Sequence, residues 1–336
     1  MQDIQKIAQS VHRLQKRKKT FGFWIKLGFS LVLLFVIFRN VRFNDFYESI
    51  VSINKWWFAL SVIAFFPAQL LAAYRWYFLL NKLEQRIDFR IVLRHTILGQ
   101  FAALFLPGQI SGDIVRTFAI AQGKNSKFVF IKSTIIDKVL LLAATAIFSL
   151  VGGIYSNKFA NIQGIFVLSS VIIIMSFLVL LLMINDNLVR SIISPLKGFP
   201  IVSVFDNKIK KFTNGVINVK FYAIFETLLL ACLLQLIYSI GGFFMIKAMN
   251  LPLPMFDWFA INAIVAIIQV LPISIGGLGV REGILSSLFL LYNIPISRTA
   301  AFSLINFFCS SLLIAGSWLL SDYLLKKYNY YDDDQL

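Results

Sequence analysis

The sequence predicts an all-α integral membrane protein with about six full transmembrane helices and two glycine-broken helical hairpins in an inverted-topology repeat. Three observations carry that expectation. Of the 336 residues, 58% are apolar and 14% charged, where a soluble domain has about 25% charged, and the mean hydropathy is +0.77. Six apolar runs approach the length of about 20 residues that a bilayer-spanning helix uses. Two further apolar runs are interrupted midway by Pro and Gly. A conventional soluble enzyme is excluded, and residues 1–336 are expected to form one polytopic membrane domain.

Residues 1–21 form a basic N-terminal segment. The first expected span, 22–38, could mimic a signal peptide, but Arg39-Asn40-Val41 offers no small-residue cleavage site, so it is read as retained. The second span is 56–80. Residues 93–122 form hairpin one: its first arm, Leu93 to Leu106, reaches about 21 Å against a hydrocarbon core of about 30 Å before Pro107-Gly108 breaks it. Spans follow at 134–154 and 164–184. The polar segment 185–221 places Phe205, Ile209, Phe212 and Val216 on one helical face with lysines elsewhere, which suits an amphipathic helix lying on the cytoplasmic leaflet. After a span at 222–246, residues 256–292 run into Pro272 and Gly276-Gly277-Leu278-Gly279, giving hairpin two or, alternatively, two short full crossings. The last span is 299–320, followed by the 321–336 tail.

Charge orients this arrangement, because Lys and Arg accumulate in cytoplasmic loops. With the N-terminus inside and each broken run returning to its own side, 23 of the 32 Lys and Arg fall on the cytoplasmic side, six outside and three within the membrane runs. This predicts a multi-pass protein of the cytoplasmic (inner or plasma) membrane with both termini cytoplasmic. The formal charge of +16 is then read as topology and attraction to anionic lipid; no nucleic-acid partner is expected. The same topology inverts the two hairpins relative to each other. They align as Leu106-Pro107-Gly108-Gln109-Ile110-Ser111-Gly112-Asp113-Ile114-Val115-Arg116 against Leu271-Pro272-Ile273-Ser274-Ile275-Gly276-Gly277-Leu278-Gly279-Val280-Arg281, identical at six of eleven positions. Broken helices related by a pseudo-two-fold axis are where membrane transporters place their binding sites.

Arg116 and Arg281 are the foremost candidates, since arginine at bilayer depth is costly and faces a cavity or a partner. Each follows a glycine break, where the free N–H groups of a half-helix favour an anion, and guanidinium matches phosphate oxygens. Gly108, Gly112, Gly276, Gly277 and Gly279 are therefore expected to form, with the two arginines, a phosphate-binding pocket at mid-membrane. The alternative is that each arginine clasps a carboxylate, Asp113 with Arg116 at i,i+3 or Glu282 with Arg116 across the repeat. Asp113 and Glu282 are expected to balance charge or carry a coupling proton. Asp137 and Lys138 share that candidate role at a cytoplasmic mouth, or mark the water boundary at the start of the 134–154 span. Arg75 is read as lying at the mouth and snorkelling beside an aromatic belt. Glu226, Asp257 and Arg298 read as boundary residues and His95 as structural. Cys232 and Cys309 behave as small hydrophobes. No nucleotide-binding glycine loop, metal-binding helix motif or cysteine–histidine cluster occurs, so no metal and no cofactor is expected.

The segment LPGQISGDIVR at 106–116, the Asp137-Lys138 pair, Arg75-Trp76 and LPISIGGLGVREG at 271–283 together resemble the flippase-like family, also called the lysylphosphatidylglycerol synthase transmembrane region. The resemblance covers nearly the whole chain. It implies movement of a phosphate-bearing lipid between leaflets. In the best-known members, the multiple peptide resistance factors, this region is thought to flip aminoacylated phosphatidylglycerol made by a separate acyltransferase domain; other relatives are linked to hopanoids or lipid-linked saccharides. No acyltransferase domain is read after the last span, so a lipid transporter rather than an enzyme is expected. Lys138 stands where the family's pattern suggests arginine. Three functional classes thus stand: a lipid translocator acting on an anionic or zwitterionic membrane lipid, a membrane subunit or enzyme of lipid head-group modification with Asp45 and Glu48 as candidate groups, and a transporter of small soluble anions.

Overall fold

The computed structural model describes residues 39, 43–106, 108–122, 127–156, 158–160, 162–184, 221–271, 273–274 and 276–327. The expected span at 22–38, the N-terminal segment, most of the 185–221 loop and the end of the tail lie outside them. Ten helices are described: α1 (Phe43–Val51), α2 (Lys55–Lys82), α3 (Phe89–Phe105), α4 (Ile110–Ile120), α5 (Lys127–Tyr155), α6 (Gln163–Ile184), α7 (Phe221–Ala248), α8 (Met255–Gln269), α9 (Val280–Leu290) and α10 (Ile296–Lys327). No strand occurs among the described residues. Five of the helices, α2, α5, α6, α7 and α10, are long and apolar enough to cross a membrane, and they correspond to five of the six expected spans.

Local chemistry sets the ends of these helices. Asn54 accepts from the N–H groups of Trp56 and Trp57 and starts α2; Asp88 accepts from Arg90 N at 2.7 Å and starts α3. Beyond the C-termini of α2, α7 and α9, Glu84, Asn250 and Asn293 take left-handed backbone conformations that turn the chain out of the helix.

The arms of the two broken runs are too short to cross. The 17 residues of α3 reach about 25 Å, the 15 of α8 about 22 Å, and the 11 of α4 and of α9 about 16 Å. Both runs turn inside the bundle, and their tips meet: Gly108 N donates to Ser274 O at 3.2 Å and Gly276 N to Leu106 O at 3.5 Å. Gln109 Nε2 adds a side-chain bond to Gln269 Oε1 at 3.1 Å. The two hairpins thus join tip to tip.

The arms of hairpin one touch at a pair of glycines. A Cβ on Gly99 would lie 2.6 Å from Gly112 O, and one on Gly112 would come closer still to Gly99 O, so α3 and α4 approach at backbone distance. Helix α2 packs mainly on α7, α8 on α5, and α5 on α6. The largest apolar core gathers Trp258, edge-to-face with both Phe289 and Phe302, around α8, α9 and the start of α10. A smaller core of Trp76, Leu80, Val92, Ile120 and Phe130 fixes the base of hairpin one against α2 and α5. Helices α6 and α10 keep large apolar side chains exposed, among them Ile174, Phe177, Phe308, Leu312 and Leu319, as lipid-facing helices do.

One boundary differs from expectation. Helix α5 begins at Lys127, seven residues before the expected 134. Asp137 therefore does not mark the start of a span at a water boundary; it sits three turns inside a continuous helix and is 1% exposed. Hydropathy misplaces the start because Lys132, Asp137 and Lys138 lower the local mean, whereas the helix buries Lys132 and Asp137 on its packed face.

Candidate functional site

Hairpin one carries Asp113 and Arg116 three residues apart on α4, one turn, so both point the same way. Arg116 Nη2 pairs with Asp113 Oδ1 at 3.1 Å and with Asp137 Oδ2 at 2.8 Å. The same Asp137 oxygen takes Arg75 Nη2 at 3.1 Å, and Arg75 Nη1 donates to the Asp137 backbone carbonyl at 3.1 Å. Lys138 Nζ lies 3.0 Å from Asp113 Oδ2. The result is an alternating chain, Arg75–Asp137–Arg116–Asp113–Lys138, built from α2, α5 and α4. Three cations and two carboxylates leave it one positive charge in excess. Trp76 floors it: the Arg116 guanidinium carbon stands 4.3 Å from the indole ring centre, and the indole N–H is held by Ser133 Oγ at 3.2 Å.

Arg75 is thus a correction to the snorkelling reading. It is 3% exposed and its guanidinium turns inward to Asp137, while its neighbour Tyr74 faces outward.

Hairpin two carries the second cluster. Arg281 Nη2 meets Glu282 Oε1 at 2.5 Å, and Arg281 Nε donates to Ser303 Oγ at 2.8 Å. Ser303 Oγ in turn donates to Glu282 Oε1 at 2.8 Å. The Phe307 ring lies 5.1 Å from the Arg281 guanidinium carbon. This cluster is neutral. Glu282 does not reach across the repeat to Arg116: its second oxygen accepts Gly279 N at 2.6 Å, capping its own helix. The anion expected at the start of α9 is therefore supplied by the chain itself, as a glutamate three residues into a helix commonly does. The other glycines are committed in a related way. The N–H groups of Gly108 and Gly276 bond across the hairpin tips, Gly112 packs on Gly99, and Gly277 carbonyl accepts Arg281 N at the start of α9. Gly108, Gly276, Gly277 and Gly279 all take positive φ, the conformation that lets the chain reverse within so few residues. Their first role is to build the tips.

Both clusters open onto one cavity of about 470 Å³, lined by residues of both hairpins and of α2, α5, α7 and α10. On α2 its wall runs from Ser61 to Arg75, about 21 Å of helix and so most of the depth of a bilayer core. Gly108, Gly112, Asp113, Arg116, Asp137, Lys138, Arg75, Gly276, Gly277 and Arg281 all border it. Sequence reasoning missed the neutral polar lining: Gln100, Gln109, Gln235, Asn262, Gln269 and Asn306. Thr145 Oγ1 donates to Gln235 Oε1 at 3.4 Å and Asn262 Nδ2 to Ser239 Oγ at 3.3 Å, but Gln235 Nε2 and Gln100 Oε1 are buried without a protein partner. The available signal was their position in the middle of apolar runs, where an amide is costly unless it is used.

The remaining candidates take structural places. Glu226 pairs with Lys82 at 3.3 Å, Arg298 Nη2 donates to Met249 O at 2.6 Å, and His95 Nδ1 lies 2.7 Å from Ile91 O in its own helix. Asp257 lies in the first turn of α8 and is buried, 2% exposed. Glu48 is exposed on α1, and the side chain of Asp45 is outside the described residues. Cys232 and Cys309 are free thiols. Among the described residues no group of three metal-ligating side chains occurs.

Comparison with known protein families matches residues 23–316 to the family described as the lysylphosphatidylglycerol synthase TM region. The match spans most of the chain and includes both hairpins and both clusters; the protein belongs to this family of multi-pass membrane proteins. Comparison with curated proteins gives no match.

Proposed function

We propose that this member of the family moves a phosphate-bearing lipid across the cytoplasmic membrane, and that it acts as a transporter rather than as an enzyme. The observation that supports this reading most is the shared cavity: two inverted half-helix hairpins bring an excess positive charge and a polar wall to membrane depth, where both would be costly without use. The head group, an aminoacylated phosphatidylglycerol or a lipid-linked saccharide in the classes considered, passes along the polar wall while its acyl chains stay in lipid. Arg116 and Arg281 meet the phosphate. Asp113, Asp137 and Glu282 pair with the arginines and hold them in place when no lipid is bound, and Lys138 holds Asp113. The test is scrambling of fluorescent phospholipid in proteoliposomes, in which Arg116→Ala and Arg281→Ala are expected to slow movement sharply. Wild-type rates in folded variants would overturn the pocket.

The family's description favours a second reading, a membrane subunit of lipid head-group modification. A purified protein that alters the head group alone, or only with a soluble partner enzyme, without changing lipid sidedness would put that reading ahead.

A further inference from the structure

The lipid-translocation reading requires a seam in the helix bundle, since the head group travels in the cavity while the acyl chains stay in the bilayer; the portal rests on that reading. The walls of the cavity are closed in different ways. Helices α2, α5 and α7 join one another through buried apolar cores, Leu79, Leu140 and Ile224 in one, Ala72 and Leu234 in another. Helix α10 does not. Its first turns are packed tight: Thr299, Ala300, Ala301, Phe302 and Ser303 are all buried, and Arg281 Nε donates to Ser303 Oγ. Beyond Ser303, no described residue of α10 is buried. There one face, with Asn306, Phe307, Ser310 and Ile314, borders the cavity, while Phe308, Leu312 and Leu319 are exposed on the other. Over this stretch the same helix has a polar cavity on one side and an apolar exposed surface on the other. Of the helices that line the cavity, α10 packs mainly on α3 and α9 and only lightly on α2 and α7. Its contact with α3 is aromatic. Trp318 stacks on Phe101 with 6.3 Å between ring centres and 16° between planes, and the Arg94 guanidinium carbon stands 5.7 Å from the Trp318 ring centre. Trp318 lies about 22 Å along the helix from Ser303, at the end of the bundle where α2 runs into α3.

We propose that the seam between α3 and the C-terminal part of α10 is the portal through which a lipid head group passes between bilayer and cavity, and that Trp318, stacked on Phe101, is its latch. Helix α10 swings about the Ser303 anchor, and parting the two rings opens the cavity beside Ser310 and Ile314 to the bilayer. A stacked ring pair and one cation–π contact are modest attractions, and they break without unmaking any helical hydrogen bond. Trp318 and Phe101 are positioning residues: they set how often the seam opens and leave the binding of the head group to the cavity.

The test uses the purified full chain in proteoliposomes with fluorescent phosphatidylglycerol as the probe. In a chain carrying Cys232→Ser and Cys309→Ser, Phe101→Cys and Trp318→Cys are joined by a short reducible bis-methanethiosulfonate linker. Bridging is expected to slow lipid movement by about tenfold or more, as locking a lid does, and reduction to restore it. A control bridge joins Lys82→Cys to Tyr222→Cys, where α2 meets α7 with Lys82 Nζ 4.6 Å from the Tyr222 ring centre. It is expected to leave the rate unchanged, because that wall stays closed. Without a bridge, Trp318→Ala is expected to speed movement by about two- to tenfold, the shift in an opening equilibrium that loss of one ring pair brings. Trp318→Phe keeps a ring and is expected to stay near the wild-type rate. A seam bridge that leaves the rate unchanged, a control bridge that blocks as strongly, or a Trp318→Ala protein no faster than wild type would overturn the portal while leaving lipid translocation standing. A wild-type protein that moves no lipid would overturn translocation itself, and the portal with it.

Discussion

Replacing Asp137 with asparagine tests the centre of the candidate site. Its Oδ2 accepts from two guanidinium groups, Arg116 at 2.8 Å and Arg75 at 3.1 Å, with the carboxylate 1% exposed. Asparagine keeps the shape but removes the charge, so two buried arginines lose their shared counter-ion and the chain of charges rises from one positive in excess to two. Breaking a buried pair by removing one partner costs about 3–5 kcal/mol. Asparagine retains one acceptor oxygen, so the expected loss is about 3 kcal/mol, at the low end of that range. Unfolding in mixed micelles with increasing denaturing detergent, followed by tryptophan fluorescence, measures it. The Arg75→Gln, Asp137→Asn double variant is expected to lose less than the sum of the singles, because removing Arg75 takes away one of the unpaired charges that Asp137→Asn leaves. A coupling above about 1 kcal/mol marks the pair as acting together, since independent sites add within about 0.5 kcal/mol. An Asp137→Asn protein that unfolds with the wild type, or a cycle that adds, would refute the hub.

Gly112→Ala is expected to destabilise by about 1–3 kcal/mol, because its methyl group meets the Gly99 carbonyl; a fall in melting temperature in detergent checks it, and an unchanged value would mean that the arms of hairpin one do not touch. Glu282→Gln leaves Arg281 without its counter-ion but keeps an oxygen for Gly279 N, so lipid movement should fall more than thermal stability; equal falls in the two would make Glu282 a cap alone. Asn54→Ala removes the acceptor at the start of α2 and is expected to cost about 1 kcal/mol without changing the relative rates of different lipids.

Arginines can lie at membrane depth here because each meets its neutralising group within the protein. Trp76 beneath Arg116 and Phe307 beside Arg281 add an aromatic face to each, so both guanidinium groups have a second group suited to charge beside the carboxylate.

Much of this architecture can be read from the chain. Lengths of apolar run mark α2, α6, α7 and α10, since a helix that faces lipid must be apolar along its length and hydropathy reports that directly. The paired motifs ending at Arg116 and Arg281 place the two breaks at which the chain turns back, because only a few residue types let a membrane helix turn back midway. Even the i,i+3 pair of Asp113 and Arg116 is local enough to read. What only the tertiary structure decided is which distant group each charge meets. Arg75 looked like a boundary residue and Asp137 like a helix start, yet α2 and α5 bring them together across 62 positions of sequence. The Gln109–Gln269 bond joins tips 160 positions apart, and the amide wall exists only because four helices and a hairpin tip turn polar residues toward one space. The reason is physical: the cost of transferring a side chain into the membrane belongs to that residue alone, whereas the cost of burying a charge depends on the partner that the packing of other helices brings within reach.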